Sequence, residues 1–502
     1  MQKQTPETVT IHVEKDFKIG EVDQRLFSSF AEHMGRSIYT GIYEPGHPAA
    51  DAKGFRTDVL ELVRELNLSH VRYPGGNFLS GYDWKDGIGP KEARPRRLDL
   101  AWKSIESNQV GIDEFYDWSR LAGIQIMGGV NMGTGSPKDA AELVEYCNYP
   151  GGTAWSDRRI QNGHKDPMGI SLWCIGNEMD GPWQIGHLDA IDYGKKAREA
   201  AKMMKWVDDS IEVVVCGSSN AEISTFPEWD RQVLEYTYDE ADYLSMHRYF
   251  ENEGNDLDFL ASFKDMDQFI STLVATVDYV KAVKRSKKTI GLSFDEWNVW
   301  YQKRQTPHDW MEAPELIEDR YTLLDALSFS GMCMALLNHA DRVKIACLAQ
   351  LVNVIAPILT ERGGRAIRQT IFYPFQLFSK HGRGTALRPV VHTPLLETRH
   401  GDAEQLYTSA VLHEDGTLSL FCLNIGETAL QAELDLRSFG SVKLCAHTRL
   451  SGEDLNAVNT FDNPFAVVPQ QIPVSEKPAA RFSERIPARS FSVFSFAPSE
   501  TL

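Results

Sequence analysis

The chain has 502 residues, of which 42% are hydrophobic and 24% charged. This composition is typical of a globular protein, and the length is sufficient for one large domain and a smaller one. The formal net charge of -18 argues against a nucleic acid or an anionic membrane as a partner. No stretch approaches the roughly 20 apolar residues that span a bilayer. Because residues 1–7 also lack the apolar core of a signal peptide, we expect a cytoplasmic protein.

Seven cysteines are scattered along the chain in apolar surroundings, and no two of them form a C-x-x-C pair. We therefore expect buried free thiols in a reducing compartment, and neither a zinc site nor a redox motif. The sequence also lacks the H-E-x-x-H and G-x-S-x-G patterns, so we expect no metal and no serine nucleophile. The cysteines are Cys147, Cys174, Cys216, Cys333, Cys347, Cys422 and Cys445.

The first predicted element is a strand, because Val9, Ile11 and Val13 alternate with polar residues. From Phe27 onwards, short apolar runs alternate with longer stretches of helical period, which is the pattern of a parallel α/β fold. Eight strands are predicted in this part of the chain, at residues 27–31, 70–73, 124–130, 171–176, 212–216, 243–247, 289–295 and 344–349.

Helices are predicted between these strands. Apolar residues at positions 55, 59, 62, 63 and 66 share one helical face, and Phe115, Trp118 and Leu121 share another, which Gly123 ends. Ser136 followed by proline marks the start of the next helix. Eight strand–helix units predict a (β/α)8 TIM barrel. An open doubly wound sheet is the alternative, but the even strand count and the lack of a dinucleotide-binding fingerprint disfavour it.

After about Arg388 the helical period disappears and alternating segments follow, for example at positions 430–436 and 491–496. Asp415-Gly416 lies between two such runs and predicts a tight hairpin. We therefore predict an antiparallel, jelly-roll-like β-sandwich. The lone N-terminal strand is expected to join it, which divides the chain into a barrel at residues 19–387 and a sandwich at residues 1–18 and 388–502.

Two apolar segments each end in a carboxylate, Glu178 after the fourth predicted strand and Glu296 after the seventh. The carboxyl ends of barrel strands meet at one face, where catalytic side chains emerge. Two carboxylates brought together there are the pair of groups that glycosidases need to cleave a glycosidic bond. Asp295 competes with Glu296, and since adjacent strand residues point to opposite faces, only one of the two is expected to face the cleft. Glu296 is favoured because the aromatic residues Trp297 and Trp300 follow it, where the edge of the cleft is expected.

Other polar or aromatic residues also follow the predicted strands, and each has a structural interpretation beside a functional one. Arg72 either pairs with a core carboxylate such as Glu32 or holds the nucleophile, and Asn77 is either a turn residue or a sugar contact. His247 and Tyr249 share one strand face, which favours a site role over core packing. Trp102 and Trp300 offer flat apolar faces that suit a sugar ring. Glu32, Asn177 and Gln350 complete this group.

The motifs that carry these residues resemble one family. They are FAEHMG at 30–35, RYPGGN at 72–77, WCIGNEMD at 173–180, HRY at 247–249, FDEWNVW at 294–300 and QLVN at 350–353. In this order they resemble the retaining (β/α)8 glycosidases, and more narrowly the intracellular α-L-arabinofuranosidases of glycoside hydrolase family 51. The resemblance covers the whole chain and shows no departure at these positions.

The resemblance implies an exo-acting retaining enzyme, with Glu178 as acid/base and Glu296 as nucleophile. It implies no cofactor, α-L-arabinofuranosyl oligosaccharides from arabinan or arabinoxylan as substrates, and a homo-oligomer, often a hexamer. The alternatives are a β-xylosidase or other exo-glycosidase of the same clan, and a barrel that binds carbohydrate without catalysis. The segment 300–317 is expected to shape the leaving-group side. The implied substrate-binding residues are Glu32, Arg72, Asn77, Trp102, Asn177, His247, Tyr249, Trp300 and Gln350.

Overall fold

A computed structural model describes residues 6–302, 308–475 and 477–499. All eight predicted barrel strands form, and they close into a parallel barrel in which each strand pairs with the next along the chain and the last pairs with the first. This confirms the TIM barrel. The strands are Ser28–Phe30, His70–Tyr73, Gln125–Val130, Leu172–Ile175, Glu212–Val215, Tyr243–Phe250, Gly291–Val299 and Val343–Ala349.

The helices surround the barrel, and their ends follow the sequence signals. Ser136 accepts a hydrogen bond from the backbone of Asp139, and Gly123 ends its helix with a φ of 77°. Leu121, expected on the buried face, is 40% exposed. It lies in the last turn, next to the exposed Arg120, where the helix face turns to solvent. The helices are Thr57–Glu65, Ile112–Ala122, Pro137–Asn148, Ala154–Gln161, Ala190–Val207, Glu228–Thr237, Asp256–Leu260, Ser262–Lys284, Leu323–Asn338 and Phe372–His381.

Two sheets form the C-terminal sandwich, and the N-terminal strand Glu7–His12 lies inside the smaller one, as predicted. It pairs in parallel with Leu430–Asp435 and antiparallel with Val390–His392. The predicted hairpin also forms, since Leu406–Leu412 and Leu418–Asn424 pair across Gly416, which has a φ of 81°. The remaining strands of the two sheets are Lys18–Glu21, Thr385–Leu387, Val442–Leu450, Gln470–Gln471, Arg481–Ile486 and Ser490–Pro498.

Barrel and sandwich meet along the helix Leu323–Asn338, which is mostly apolar and is buried on every face over residues 323–337. Ser409 of the sandwich donates to the carbonyl of Met334 in this helix at 3.1 Å. Nearby, the strands Lys18–Glu21 and Thr385–Leu387 pair with each other and extend the larger sheet. The predicted boundary between residues 18 and 19 thus falls within a strand, and the one at 387 falls at a strand end.

Six of the seven cysteines are buried free thiols, as expected, but Cys445 is exposed. It lies in the strand Val442–Leu450, where alternate side chains face solvent, so its apolar neighbours do not enclose it. Within the described residues, every helix is too short or too polar to serve as a membrane span.

Three short hairpins complete the described strands, and one of them reaches the face of the barrel at which the strands end. Its strands Arg97–Asp99 and Ser104–Glu106 pair antiparallel and carry Trp102 in the connecting turn. Sequence analysis did not predict this hairpin, whose strands are only three residues long. The other two pair Ile358–Thr360 with Ala366–Arg368 and Leu395–Thr398 with Gly401–Glu404.

Candidate active site

A pocket of about 440 Å³ opens at the carboxyl ends of the barrel strands. Eight of the eleven predicted site residues line it, and the other three, Arg72, Asn177 and His247, are buried beside these and bonded to them. The sequence-based grouping of these residues therefore corresponds to one site in space. The predicted residues that line the pocket are Glu32, Asn77, Trp102, Glu178, Tyr249, Glu296, Trp300 and Gln350.

Glu178 stands just beyond the strand Leu172–Ile175, at a backbone φ of 44° that residues other than glycine rarely adopt. Such a conformation persists only where the surrounding structure enforces it, and it is most common at functional sites. One carboxyl oxygen lies 3.0 Å from Nδ1 of His247, and the other accepts a hydrogen bond from Nε1 of Trp183 at 2.7 Å. Both oxygens of Glu178 are thus held in place, while the group remains partly accessible from the pocket.

Glu296 lies within the strand Gly291–Val299, one residue after a β-bulge. Ser293 pairs with Ser245, but Glu296 pairs with His247, so the seventh strand advances three residues where the sixth advances two. The alternation that sequence analysis assumed therefore fails here. Asp295 and Glu296 both point into the barrel, although only Glu296 lines the pocket.

Arg72 holds Glu296 from inside the barrel. One of its terminal nitrogens donates to Oε1 of Glu296 at 2.6 Å and the other donates to Oδ1 of Asn177 at 2.6 Å. Asn177 in turn donates to Oδ1 of Asn77 at 3.2 Å. The guanidinium lies over the ring of Phe30 at 4.8 Å. Of the two interpretations of Arg72, the structure therefore places it on Glu296 and not on Glu32.

His247 and Tyr249 follow each other on one face of the sixth strand, as their spacing predicts. The Tyr249 hydroxyl donates to Oε2 of Glu296 at 2.8 Å, and Nδ1 of His247 lies 3.6 Å from the same carboxylate. Burial lowers the pKa of His247, but Glu296, Asp295 and Glu178 outweigh it and raise that pKa to about 10. His247 is therefore an imidazolium at neutral pH, between the two carboxylates.

Glu32 closes the opposite side of the pocket. Its Oε1 accepts hydrogen bonds from the Phe78 backbone and from Nε1 of Trp102, both at 2.9 Å, and its Oε2 accepts one from Gln350 at 3.1 Å. Gly76 passes so close that an added Cβ would lie 2.8 Å from Oε2, which explains the glycine there. Burial raises the pKa of Glu32 to about 8, and its backbone and indole donors oppose that rise.

The rim of the pocket is aromatic. Trp300 packs edge-on against Tyr249 with ring centroids 5.1 Å apart, and the carbonyl of Trp102 bonds with Nε2 of His308 at 2.7 Å. The segment 300–317 therefore reaches the Trp102 hairpin, although its residues 303–307 lie outside the described chain. Sequence analysis missed Trp183, because only the fold of the loop after Glu178 brings its indole back to that carboxylate.

The two candidate catalytic carboxylates are close. One oxygen of Glu178, one of Glu296 and a ring nitrogen of His247 all lie within 4.8 Å of one another. In number and spacing these atoms could also ligate a cation. The ring nitrogens of an imidazolium offer no lone pair to a metal, however, and His247 faces three carboxylates that favour this charged form. The donor set therefore suits proton transfer and nucleophilic attack better than metal binding.

Two family models match the chain: the α-L-arabinofuranosidase 1 domain over residues 62–271 and the α-L-arabinofuranosidase C-terminal domain over residues 295–490. The intracellular exo-α-(1→5)-L-arabinofuranosidase of Halalkalibacterium halodurans is 52% identical, over 90% of this chain and 92% of its own length. The exo-α-(1→6)-L-arabinofuranosidase of Bifidobacterium longum is 47% identical, over 91% and 90%. A solved family 51 α-L-arabinofuranosidase of B. longum superposes with a TM-score of 0.95 at 42% identity, covering 98% of this chain and all of the other.

The chain belongs to the family 51 α-L-arabinofuranosidases. The expected resemblance is thus confirmed, and so is the activity: the protein is an exo-acting α-L-arabinofuranosidase. The alternatives of a β-xylosidase and of a non-catalytic binding protein are not favoured. The arabinose complex of the Thermotoga maritima α-L-arabinofuranosidase superposes with a TM-score of 0.87 at 33% identity, covering 97% of this chain and 99% of the other. The family fold thus extends over the sandwich as well as the barrel.

Proposed function

We propose that Glu296 is the nucleophile and Glu178 the acid/base of a double displacement. The observation that carries this assignment is their approach across the pocket, with one oxygen of each and a ring nitrogen of His247 all within 4.8 Å. Retaining glycosidases separate their two carboxyl groups by about 5 to 5.5 Å, whereas inverting enzymes leave about 6.5 to 9.5 Å for a water molecule. The close approach therefore favours direct attack by Glu296.

In the first step Glu296 attacks the anomeric carbon, while protonated Glu178 gives its proton to the leaving oxygen. This forms an arabinofuranosyl ester on Glu296. In the second step Glu178 takes a proton from water, which attacks the same carbon and releases arabinose with net retention. His247 lies 3.0 Å from Glu178 and 3.6 Å from Glu296, so its positive charge stabilises whichever carboxylate is charged.

The two glutamates are oriented differently, in keeping with these roles. Glu296 accepts hydrogen bonds from Arg72 and Tyr249, which compensate its negative charge and aim it at the sugar. Glu178 is the more accessible of the two and lies beside the exposed Trp183, on the side where a leaving group departs. Glu32, Asn77, Asn177 and Gln350 then bind the hydroxyls of one arabinofuranose, and Trp102 and Trp300 cover its apolar faces.

Terminal α-(1→5)-linked arabinofuranose is the proposed natural substrate. The 51% identical relative from Bacillus subtilis and the 52% identical one from Acetivibrio thermocellus are both described as intracellular exo-α-(1→5)-L-arabinofuranosidases. Since both relatives are described as intracellular, we propose that this enzyme also acts in the cytoplasm. The family resemblance implies a homo-oligomer, and we propose a hexamer. Light scattering tests the assembly, since a hexamer has six times the 56.6 kDa of one chain.

The deciding experiment compares kcat/KM for 4-nitrophenyl α-L-arabinofuranoside and 4-nitrophenyl β-D-xylopyranoside. We expect a strong preference for the arabinoside, and a loss of about 10⁴-fold or more in kcat for Glu296→Ala. Proton NMR of the first product should show the retained anomer. Formation of the inverted anomer would refute the nucleophile assignment, and a preference for the xyloside would overturn the substrate.

A further inference from the structure

We infer that Asp295 is a positioning residue that holds the two cations of the active site, Arg72 and His247, against the catalytic glutamates. The inference rests on the proposed roles of Glu178 and Glu296. Asp295 does not line the pocket and is 1% exposed, so it acts on the reaction only through its neighbours.

The β-bulge is the first observation behind this inference. On both sides of the seventh strand the register slips at this point, against the sixth strand between Ser245 and His247 and against the eighth between Phe294 and Trp297. A regular strand would turn Asp295 outward, towards the helices. The bulge instead directs two successive carboxylates into the barrel, the upper one to the pocket and the lower one beneath it.

The contacts of Asp295 are the second observation. Its Oδ1 accepts a hydrogen bond from Ser245 at 2.5 Å and lies 3.3 Å from Nε2 of His247. Its Oδ2 lies 3.7 Å from Nε of Arg72 and accepts from the Cys174 thiol at 3.5 Å. Nε of Arg72 lacks a hydrogen-bond partner within the described chain, so this ion pair compensates it.

Arg72 and His247 are held in the same way, each between a catalytic glutamate and Asp295. His247 presents Nδ1 to Glu178 and Nε2 to Asp295, and Arg72 presents a terminal nitrogen to Glu296 and Nε to Asp295. Each cation therefore lies between a catalytic glutamate above and the same aspartate below. A buried cation needs such compensation, because burial without a counter-charge favours its neutral form.

The reaction itself makes the lower counter-charge necessary. When Glu296 becomes an ester it loses its negative charge, and Arg72 and His247 lose one of their partners. Asp295 is not modified, so it remains a counter-charge beneath both cations through the covalent stage. It thereby keeps His247 protonated and directed at Glu178 while Glu178 activates water.

The electrostatics agree with this role. Burial raises the pKa of Asp295, but Arg72 and His247 outweigh it, so that pKa lies below its usual value. Asp295 is also one of the groups that raise the pKa of His247. The charged groups that face His247 are Glu178, Asp180, Asp295 and Glu296, with Arg72 behind Asp295.

The test is the pH profile of kcat/KM for Asp295→Asn on 4-nitrophenyl α-L-arabinofuranoside, with NMR titration of the His247 ring in both proteins. Removing the negative charge destabilises the imidazolium. We therefore expect the pKa of His247 to fall by about one unit or more. The alkaline limb of activity should move to lower pH with it, because Glu178 then loses the support of the imidazolium. Asp295→Ser makes the same charge change in a smaller side chain and should shift both in the same direction.

The matched control is Asp113→Asn, which removes a buried carboxylate that bonds to Tyr146, outside the active site. It should leave the alkaline limb in place. An unshifted limb in folded Asp295→Asn, or loss of folding in both Asp295 variants, would overturn the inference in favour of a structural role. Failure of the proposed function is distinguishable, because it would show as activity retained in Glu296→Ala.

Discussion

The upper end of the barrel and the core of the sandwich are equally buried but contain opposite kinds of residue. The sandwich core is apolar, formed by side chains such as Val9, Leu420 and Phe494 from its two sheets. The barrel end buries Arg72 and Glu296 in a comparable depth of protein. Charges in such surroundings cost free energy unless each is paired, and an apolar core of equal volume is often more stable.

The difference indicates where folding alone determines the residue type and where chemistry does. In the sandwich, any well-packed apolar set of the right volume would suffice. At the barrel end, every buried charge of the site lies near an opposite charge or a hydrogen-bond donor, and those partners come from several strands and from the loops that follow them. Such an arrangement contributes little net stability, so its value must lie in function. Substitutions in the two regions should therefore separate activity from stability.

After the loss expected for Glu296→Ala, the largest effect on activity is expected at Glu178, and its size should depend on the leaving group. Glu178→Ala should lower kcat/KM by about 10²- to 10⁴-fold on arabino-oligosaccharides, whose departing oxygen needs a proton. With 4-nitrophenyl arabinofuranoside the decrease in kcat/KM should be much smaller, since 4-nitrophenolate departs without protonation in the first step. The measurement is kcat/KM on both substrates. Equal losses on the two would contradict the acid assignment.

The converse effect is expected in the sandwich. Leu420→Ala removes a fully buried side chain from the strand Leu418–Asn424 and should reduce the free energy of unfolding by about 2 to 5 kcal/mol. Because the pocket is formed by the barrel, kcat/KM of the folded enzyme should not change. Chemical denaturation and kinetics on the same preparation check both points. Lys443→Ala, at an exposed position of the same domain, should alter neither.

A smaller effect on activity is expected at the rim. Trp102→Phe keeps an aromatic face over the sugar but removes the N–H that Glu32 accepts at 2.9 Å. A buried acceptor without its donor costs about 1 to 3 kcal/mol, so kcat/KM should fall by roughly 10-fold. Trp206→Phe, at a site that is 77% exposed on a distant helix, is the matched control and should have no effect. Equal kinetics for the two variants would contradict a role for this hydrogen bond.

Sequence patterns predicted the barrel and the positions of its site residues because both depend on local signals. Apolar runs mark the strands, and polar residues that end those runs meet at one face of a closed barrel. The bulge at Asp295 was not predictable, since it arises from the register between neighbouring strands. The hydrogen bond from Trp183 and the hairpin that carries Trp102 depend likewise on loop geometry. Cys445 shows the same limit, because an apolar neighbourhood in sequence did not enclose it in space.

The last predicted effect concerns stability at different pH and isolates the contribution of one buried carboxyl, that of Glu32. The pKa of Glu32 is raised to about 8 in the folded enzyme, above the ordinary 4.5 of an unfolded chain. Between these values the folded state holds a proton that the unfolded state releases, so Glu32 reduces stability as pH rises from about 4.5 to 8. Below about pH 4.5 both states hold the proton, so Glu32 no longer makes stability depend on pH.

Glu32→Gln cannot titrate, so the variant should become more stable relative to the wild type as pH rises, by about 1 kcal/mol per pH unit within this window. Denaturant unfolding of both proteins at pH 5, 6 and 7 measures the change. Since other buried groups are common to the two proteins, the difference between them reports Glu32 alone. Glu453→Gln, at an exposed position, should give a constant difference. A constant difference for Glu32→Gln as well would mean that this carboxyl is already ionised at pH 5, and that the pocket presents an anion to the sugar.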